Sequence, residues 1–413
     1  MNSKVYFKSL SLENVRCFGS KQTLYFTKNS KPDGEVAMWN VILGENGVGK
    51  TTVLKALIAS FAQSATIDFY PSLIRNPDLK MKIQTLDSDL YSREFIRTST
   101  DSVSFNVDNR LTTLGTHIIP SYFQIPVIAY GASRKIGNSG ITDPMNQIDW
   151  LKSNYITLFD ETVTLINPEE WLIQADYSSL KNKDDRKVKI VREALKKLLI
   201  KEVGSFEIKF EQGSPRVFFK THYGEVLLHE LSLGYKTLLA WITDFAKKLV
   251  EKYTESENPL AEPAVCLVDE IDLHMHPRMQ REVVKFLRET FPQTQFIVTA
   301  HSPLIVQSEE DTNVILLRRK GDEVEVLNEV DDVQNWRIDQ ILTSDLFGVG
   351  AYSQPVEEKI KERRKIILKS KPTDTEKRQL TKIENDLSYL PISESPEVLK
   401  ALAIIKKATK VNG

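Results

Sequence analysis

One stretch near the amino terminus constrains the fold more than any other. Residues 44–52 read GENGVGKTT. The apolar run 38–43 precedes this stretch and predicts a strand, and residues 50–62 follow with the apolar spacing of a helix. A strand, a glycine-rich loop and a helix in this order form a phosphate-binding loop, because the loop amides and the helix N-terminus both face the anion. We therefore expect a nucleotide to bind here.

The loop sequence predicts a role in nucleotide binding for most of its residues. Glycines allow the backbone to curl around a phosphate, and a lysine after the last glycine reaches the β- and γ-phosphates. The hydroxyl of the following residue, Thr51, is expected to bind Mg²⁺. The expected nucleotide contacts in this loop are Gly44, Asn46, Gly47, Gly49, Lys50, Thr51 and Thr52. A glycine-rich turn without a ligand is the other interpretation, which the flanking strand and helix disfavour.

A second apolar run ends in two carboxylates. Residues 264–268 read AVCLV, which is typical of a strand buried in a parallel sheet, and Asp269 and Glu270 follow directly. Parallel strands deliver the residues after their carboxyl ends to the crevice where ligands bind. We expect Asp269 to hold Mg²⁺ and Glu270 to polarise an attacking water. Taken alone, the two acids would also suit a solvated strand end.

Two further features complete an ordered pattern. Residues 231–235 read LSLGY and open a helix predicted over 232–252, while His301 follows a buried strand predicted over 295–300. Ser232 alone would be an ordinary helix N-cap, and His301 alone would more often be a structural histidine. Along the chain, the LSLGY segment comes after the loop and before the acidic pair, and His301 comes after that pair. In this order both features suit a nucleotide site. His301 would then hold the attacking water and donate to the transferring group.

This ordered set resembles the ABC-type ATPases, and within them the compact SMC/RecF-like branch. The segments LSLENVRCF, DEIDLHMHP and TAHSP are most similar to ATPases of bacterial anti-phage defence systems, such as the Septu systems and the ATPase half of OLD-type nucleases. The resemblance implies an α/β ATPase head over residues 1–350, with a central mostly parallel sheet and an N-terminal antiparallel β-subdomain. It also implies a helical insertion over 63–205, from which strand 125–130 joins the core sheet, and a helical tail over 351–413.

The resemblance further implies ATP and Mg²⁺ as cofactors and a head-to-tail dimer, with higher oligomers open. In such a dimer, Ser232 and Gly234 of one subunit would cap the γ-phosphate held by the other. Arg16 matches an arginine near the nucleotide in SMC-like heads, although a surface arginine is an equally good interpretation. The glutamine expected after strand 125–130 is missing, and Arg134 could contact a phosphate or the subunit interface instead.

Composition and charge limit the remaining classes. The net charge of -1 gives no general argument for nucleic-acid binding, and no apolar run reaches the length of about 18 residues that a membrane helix needs. The N-terminus does not read as a signal peptide, and the chain has only two cysteines, so we expect a cytoplasmic protein. His274 and His276 lack a third ligand, which disfavours a separate metal site.

Three functions fit these observations. The first is a defence ATPase that controls a separate effector, such as an HNH or TOPRIM nuclease, because residues 351–413 are too short for a TOPRIM domain. The second is a RecF-like repair ATPase that binds DNA, for which the basic clusters at 363–365 and 406–407 would serve. The third and weakest is a transporter motor, since the long insertion and the N-terminal strands suit the SMC-like branch better.

Overall fold

Hydrophobic periodicity explains most of the secondary structure. The computed structural model describes residues 6–28, 31, 34–61, 80–86, 92–98, 103–107, 110–114, 125–137, 153–182, 186–199, 203–211, 213–308, 311–328, 336–344, 347, 352–369 and 372–387. The strands are β1 (Tyr6–Glu13), β2 (Gln22–Tyr25), β3 (Trp39–Gly44), β4 (Lys80–Leu86), β5 (Ser92–Thr98), β6 (Val103–Val107), β7 (Arg110–Leu114), β8 (Val127–Tyr130), β9 (Val203–Glu211), β10 (Ser214–Thr221), β11 (Gly224–Leu227), β12 (Ala264–Val268), β13 (Thr294–Thr299), β14 (Asn313–Lys320) and β15 (Glu323–Leu327). The helices are α1 (Lys50–Phe61), α2 (Ile156–Phe159), α3 (Pro168–Asn182), α4 (Arg186–Leu199), α5 (Leu233–Lys252), α6 (Pro277–Thr290), α7 (Pro303–Val306), α8 (Ile338–Thr343), α9 (Gln354–Ile367) and α10 (Asp374–Asp386).

A mostly parallel sheet brings the predicted site together. Its strand order is β15-β14-β3-β13-β12-β8, in which all pairs are parallel except β14 with β15. Every residue of β12 and of β13 is buried, which explains why both sequences are apolar without polar alternation. Because β13 lies between β3 and β12, the segments that follow these three strands meet at one edge of the sheet. The predicted α/β fold with this central sheet is confirmed.

A second, antiparallel sheet contains the predicted N-terminal β-subdomain. Its order is β2-β1-β4-β5-β6-β7, so strands from the insertion continue the sheet that the N-terminus starts. The insertion therefore contains strands β4 to β7 in addition to the core strand β8 and the helices α2 to α4. The physical reason is that β4 (KMKIQTL) alternates polar and apolar residues and pairs with the edge of β1 that β2 leaves open.

The remaining core elements agree with the sequence prediction. Strands β9 to β11 form a three-stranded antiparallel meander, and α5, predicted over 232–252, runs for 20 residues from Leu233 within the LSLGY segment. Helix α5 packs on the central sheet, where the ring centroids of Trp241 and Tyr130 lie 5.7 Å apart. Within the described ranges, no helix is both long and apolar enough to cross a bilayer.

The chain divides into two compact units, Met1–Trp336 and Arg337–Gly413. The boundary expected from the sequence lay at residue 350. In the second unit, α9 and α10 pack around buried Ile366, Ile383 and Leu387. The capping box of α10 is complete, since the Thr373 side chain and the Glu376 side chain bond each other's backbone N–H. The part of the predicted tail after residue 387 lies outside the described residues.

Candidate nucleotide site

The loop between β3 and α1 has a backbone that suits glycine at several positions. Gly44, Gly47 and Gly49 have φ values of +148°, +80° and +93°. A Cβ atom at Gly49 would lie 2.4 Å from the Cys17 Sγ, and one at Gly44 would lie 2.6 Å from a backbone oxygen of β14. The loop is therefore curled and tightly backed, as a phosphate cradle requires. Asn46 is exposed in this loop, whereas Thr52 is buried in the first turn of α1.

Lys50 is fixed by the loop that it follows. Its side chain is 6% exposed, and its Nζ donates to Gly44 O at 2.8 Å and to Glu45 O at 3.0 Å. Burial lowers the pKa of Lys50, while the carboxylates that follow β12 act in the opposite direction. Two of the three ammonium donors are used by these loop carbonyls, so one remains for a phosphate oxygen.

A hydroxyl and a carboxylate meet where the loop faces β12. Thr51 Oγ1 donates to Asp269 Oδ2 at 2.7 Å, and Thr299 Oγ1 donates to Asp269 Oδ1 at 2.6 Å. Asp269 is 4% exposed, and both of its carboxylate oxygens are held by hydroxyls. Mg²⁺ prefers a few protein oxygens together with water and phosphate oxygens, so Thr51 and Asp269 fit the ion that the loop implies.

No other metal site emerges from the histidines of this segment. His274 and His276 are exposed, and His276 Nδ1 accepts the Arg278 N–H at 3.3 Å as the N-cap of α6. In the described part of the chain, no group of three or more His, Cys, Asp or Glu side chains is arranged to hold a metal.

Glu270 adopts a backbone conformation that its neighbours enforce. Its φ is +48°, in the left-handed region that glutamate rarely occupies. The Glu270 N–H donates to Thr299 Oγ1 at 2.7 Å, and the Glu270 C=O accepts from Arg134 Nη2 at 2.8 Å. Thr299 could not be assigned to the site from the sequence alone, because its role depends on the register of β13 against β12.

Arg134 lies after β8, where the sequence lacks the expected glutamine. It is 2% exposed, and its Nη1 donates to Asp269 O at 2.7 Å. Burial lowers its pKa to about 10, so the guanidinium remains charged at neutral pH. The side chain is thus buried against the acidic strand end, where both Nη atoms bind backbone carbonyls.

The remaining predicted residues lie around the acidic segment and the loop. The His301 N–H donates to Asp272 Oδ2 at 3.0 Å, which ties the end of β13 to the segment after β12. A Cβ at Gly234 would lie 2.5 Å from His274 O, so the start of α5 packs closely on that same segment. Ser232 is exposed as the N-cap of α5. Arg16 is exposed with a φ of +46°, one residue before the cysteine that backs the loop.

This architecture defines the class of protein. A phosphate loop and an acidic strand end share one edge of a mostly parallel sheet, and the LSLGY helix packs on the acidic segment, as in ABC-type P-loop ATPases. Residues 39–307 match the family model described as "AAA domain, putative AbiEii toxin, Type IV TA system". The chain belongs to this AAA-domain family.

Relatives and one solved structure refine the classification. The chain is 25% identical to the Septu protein PtuA of Bacillus mycoides (strain KBAB4) over 400 residues, which is 93% of this chain and 51% of that protein. It is 34% identical to the Retron Vc95 probable ATPase of Vibrio cholerae serotype O1 biovar El Tor over 146 residues, 35% of this chain and 26% of that protein. The chain thus spans about half the length of the first relative and about a quarter of the second.

The fold itself has a solved counterpart. The Smc head domain with an extended coiled coil, derived from Pyrococcus furiosus and bound to the C-terminal domain of ScpA, superposes with a TM-score of 0.50 at 15% identity. The match covers 78% of this chain and 96% of that one. This structure shows the fold of an SMC head, and the predicted resemblance to ATPases of anti-phage systems such as Septu is confirmed.

Proposed function

We propose that this chain binds ATP with Mg²⁺ in the loop at residues 44–52 and hydrolyses it. The observation that carries the proposal is the 2.7 Å hydrogen bond from Thr51 Oγ1 to Asp269 Oδ2, which joins the phosphate loop to the acidic strand end. Glu270 follows Asp269 directly, beside the position where a terminal phosphate would lie. The membership in an ATPase family supports the same function.

Each side chain then has a physical task. The loop amides and the N-terminus of α1 stabilise the phosphate charge, and Lys50 adds a cation next to them. Bound Mg²⁺ would neutralise the charge on the phosphate oxygens. Glu270 accepts the proton of the attacking water as a general base. His301, at the end of the neighbouring strand, holds the water and donates to the transferring group.

The start of α5 supports a dimer as the active form. Ser232 is exposed and Leu233 is 53% exposed, so the N-terminus of a 20-residue helix is open to a partner. A helix N-terminus stabilises an anion, and a second copy arranged head to tail would bring its Ser232 and Gly234 to the γ-phosphate. ATP would then join the two subunits, and hydrolysis would loosen them.

The similarity to a Septu protein and a retron ATPase supports a role in anti-phage defence. In this role the chain would regulate a separate effector, such as an HNH or TOPRIM nuclease. We therefore expect the purified chain to hydrolyse ATP slowly and to leave DNA intact in the presence of Mg²⁺. Robust cleavage by the pure chain would contradict control of a separate nuclease.

Phosphate release by the purified chain tests the ATPase proposal. Lys50→Ala is expected to abolish ATP binding, because it removes the main counter-charge. Glu270→Gln should retain ATP binding and lower turnover by roughly 10²- to 10⁴-fold, the usual contribution of a general base. Glu289→Gln, a 66% exposed position on α6, is the matched control and should turn over normally. A wild-type rate in Glu270→Gln would refute the assignment of the base.

A further inference from the structure

The two peptide groups that flank the Cα of Glu270 are held on both sides. On the carbonyl side, Arg134 Nη1 donates to Asp269 O at 2.7 Å and Nη2 donates to Glu270 O at 2.8 Å. On the amide side, the Glu270 N–H donates to Thr299 Oγ1 at 2.7 Å, and the Ile271 N–H donates to Thr299 O at 2.9 Å. Thr299 of β13 and Arg134, which follows β8, thus fix both backbone dihedrals of Glu270.

This clamp holds a conformation that is rare for glutamate. The φ of Glu270 is +48°, and such outliers persist where surrounding contacts over-determine them. Arg134 itself has a φ of +29°, so the residue that holds Glu270 also has an unusual backbone conformation. A planar guanidinium has two parallel donors at a fixed spacing, which suits two consecutive carbonyls, whereas a lysine ammonium has no such fork.

The Arg134 side chain is buried, so its contacts with the backbone of Asp269 and Glu270 are not surface contacts. The side chain is 2% exposed and remains charged, so its hydrogen bonds are charge-assisted and shielded from water. Three carboxylates of the site, Asp269, Glu270 and Asp272, attract the guanidinium. The buried Nε of Arg134 has no hydrogen-bond partner among the described residues, so the two Nη bonds are the ones that hold the group.

We infer that Arg134 is a positioning residue that fixes the direction of the Glu270 side chain through these two carbonyls. Arg134 lies in the segment after β8, where a glutamine was expected, and it acts on Glu270 instead of on the nucleotide. The inference rests on the proposed function, in which Glu270 is the general base. Because a misplacement of about 1 Å in a catalytic group can cost about 100-fold in rate, loss of the clamp lowers turnover without removing the nucleotide site.

The test compares Arg134→Lys, Glu270→Gln and the double variant in single-turnover phosphate release, with nucleotide affinity measured in parallel. Arg134→Lys keeps the charge and loses the fork, so the rate should fall by roughly 10- to 100-fold while the nucleotide Kd changes less than about 3-fold. In the Glu270→Gln background, Arg134→Lys should cause no further loss, because the residue acts only through Glu270.

Two further variants keep the test decisive. Thr299→Val removes the hydroxyl contact on the amide side of the same peptide groups and also releases Asp269 Oδ1. It should therefore lower both the rate and the nucleotide affinity in Mg²⁺, whereas Arg134→Lys lowers the rate alone. Tyr253→Phe is the matched control: it removes a hydrogen bond of 2.5 Å to Pro263 O at the opposite end of β12, and its rate should equal the wild-type rate. Melting temperatures of all variants separate a folding defect from a rate defect.

The outcomes distinguish this inference from the function on which it rests. A wild-type chain without turnover overturns both. An active wild type with an unchanged rate in Arg134→Lys overturns the inference alone. Multiplying effects in the double variant would show that Arg134 acts independently of Glu270. An equal loss of rate and affinity would assign Arg134 to nucleotide binding or to folding.

Discussion

At the scale of single residues, the Thr299 hydroxyl of β13 bonds both residues that follow β12. Its Oγ1 donates to Asp269 Oδ1 at 2.6 Å and accepts the Glu270 N–H at 2.7 Å. Thr299 is fully buried, so no water replaces either bond when the hydroxyl is lost. Buried polar groups left without a partner are costly, and here both groups belong to the candidate site.

Thr299→Val is therefore expected to lower the free energy of unfolding by about 1–3 kcal/mol, the cost of a buried unsatisfied group. Urea denaturation measures this effect. The control is Thr294→Val at the start of the same strand, where the hydroxyl is buried and has no hydrogen-bond partner among the described residues. That variant should be neutral or slightly stabilising. Equal losses at both positions would show that the Thr299 hydroxyl contributes nothing specific.

At the scale of elements, a buried polar cluster joins α5 to β8. The Asp244 carboxylate accepts from the Tyr130 hydroxyl at 2.7 Å and pairs with Lys248 Nζ at 2.7 Å. The side chains of Asp244 and Lys248 are 2% and 8% exposed, and Lys248 also donates to Ser153 O at 3.1 Å. Burial and the nearby carboxylate raise the pKa of Tyr130 well above its ordinary value, so the phenol stays protonated and donates.

Removing one partner of this pair should be severe. We expect Asp244→Ala to lower the free energy of unfolding by about 3–5 kcal/mol, because Lys248 would remain buried without a counter-charge. Tyr130→Phe removes only one hydrogen bond and should cost about 0.5–1.5 kcal/mol. In contrast, Glu289→Gln breaks an exposed pair with Lys285 and should change stability by at most about 1 kcal/mol. Chemical denaturation of the three variants should reproduce this ranking, and a mild Asp244→Ala would contradict it.

The limits of sequence-based prediction also lie at this scale. Strands β3 and β12 and helices α1 and α5 could be predicted because their apolar patterns are local. The sheet that β4 to β7 extend could not, since β4 pairs with the distant β1 and each later strand pairs with the one before it. The contact from Arg134 to Asp269 joins residues 135 positions apart, and it exists only because the sheet places β8 beside β12. The ends of these strands could be read from the sequence, whereas the position of β8 directly beside β12 could not.

For the whole molecule, the exposed start of α5 leads to a prediction about assembly. Glu270→Gln should form a dimer with ATP and Mg²⁺, because bound ATP would persist, and light scattering after gel filtration should give twice the monomer mass. Ser232→Arg in that background should prevent the dimer, since a large side chain would replace the small N-cap that would face the phosphate of the partner in the proposed arrangement. Lys285→Glu, a 71% exposed position on α6, should leave it intact. A monomer under all conditions would refute the head-to-tail arrangement.

The antiparallel sheet also suggests how such chains diversify. Strand β1 pairs with β2 on one side and with β4 on the other, and the strands of the insertion follow outward to β7. Hairpins can therefore be gained or lost at the outer border while the pairing of β1 with β2 is kept. A lineage could in this way change the outer strands of this sheet step by step and keep the sheet that holds the phosphate loop.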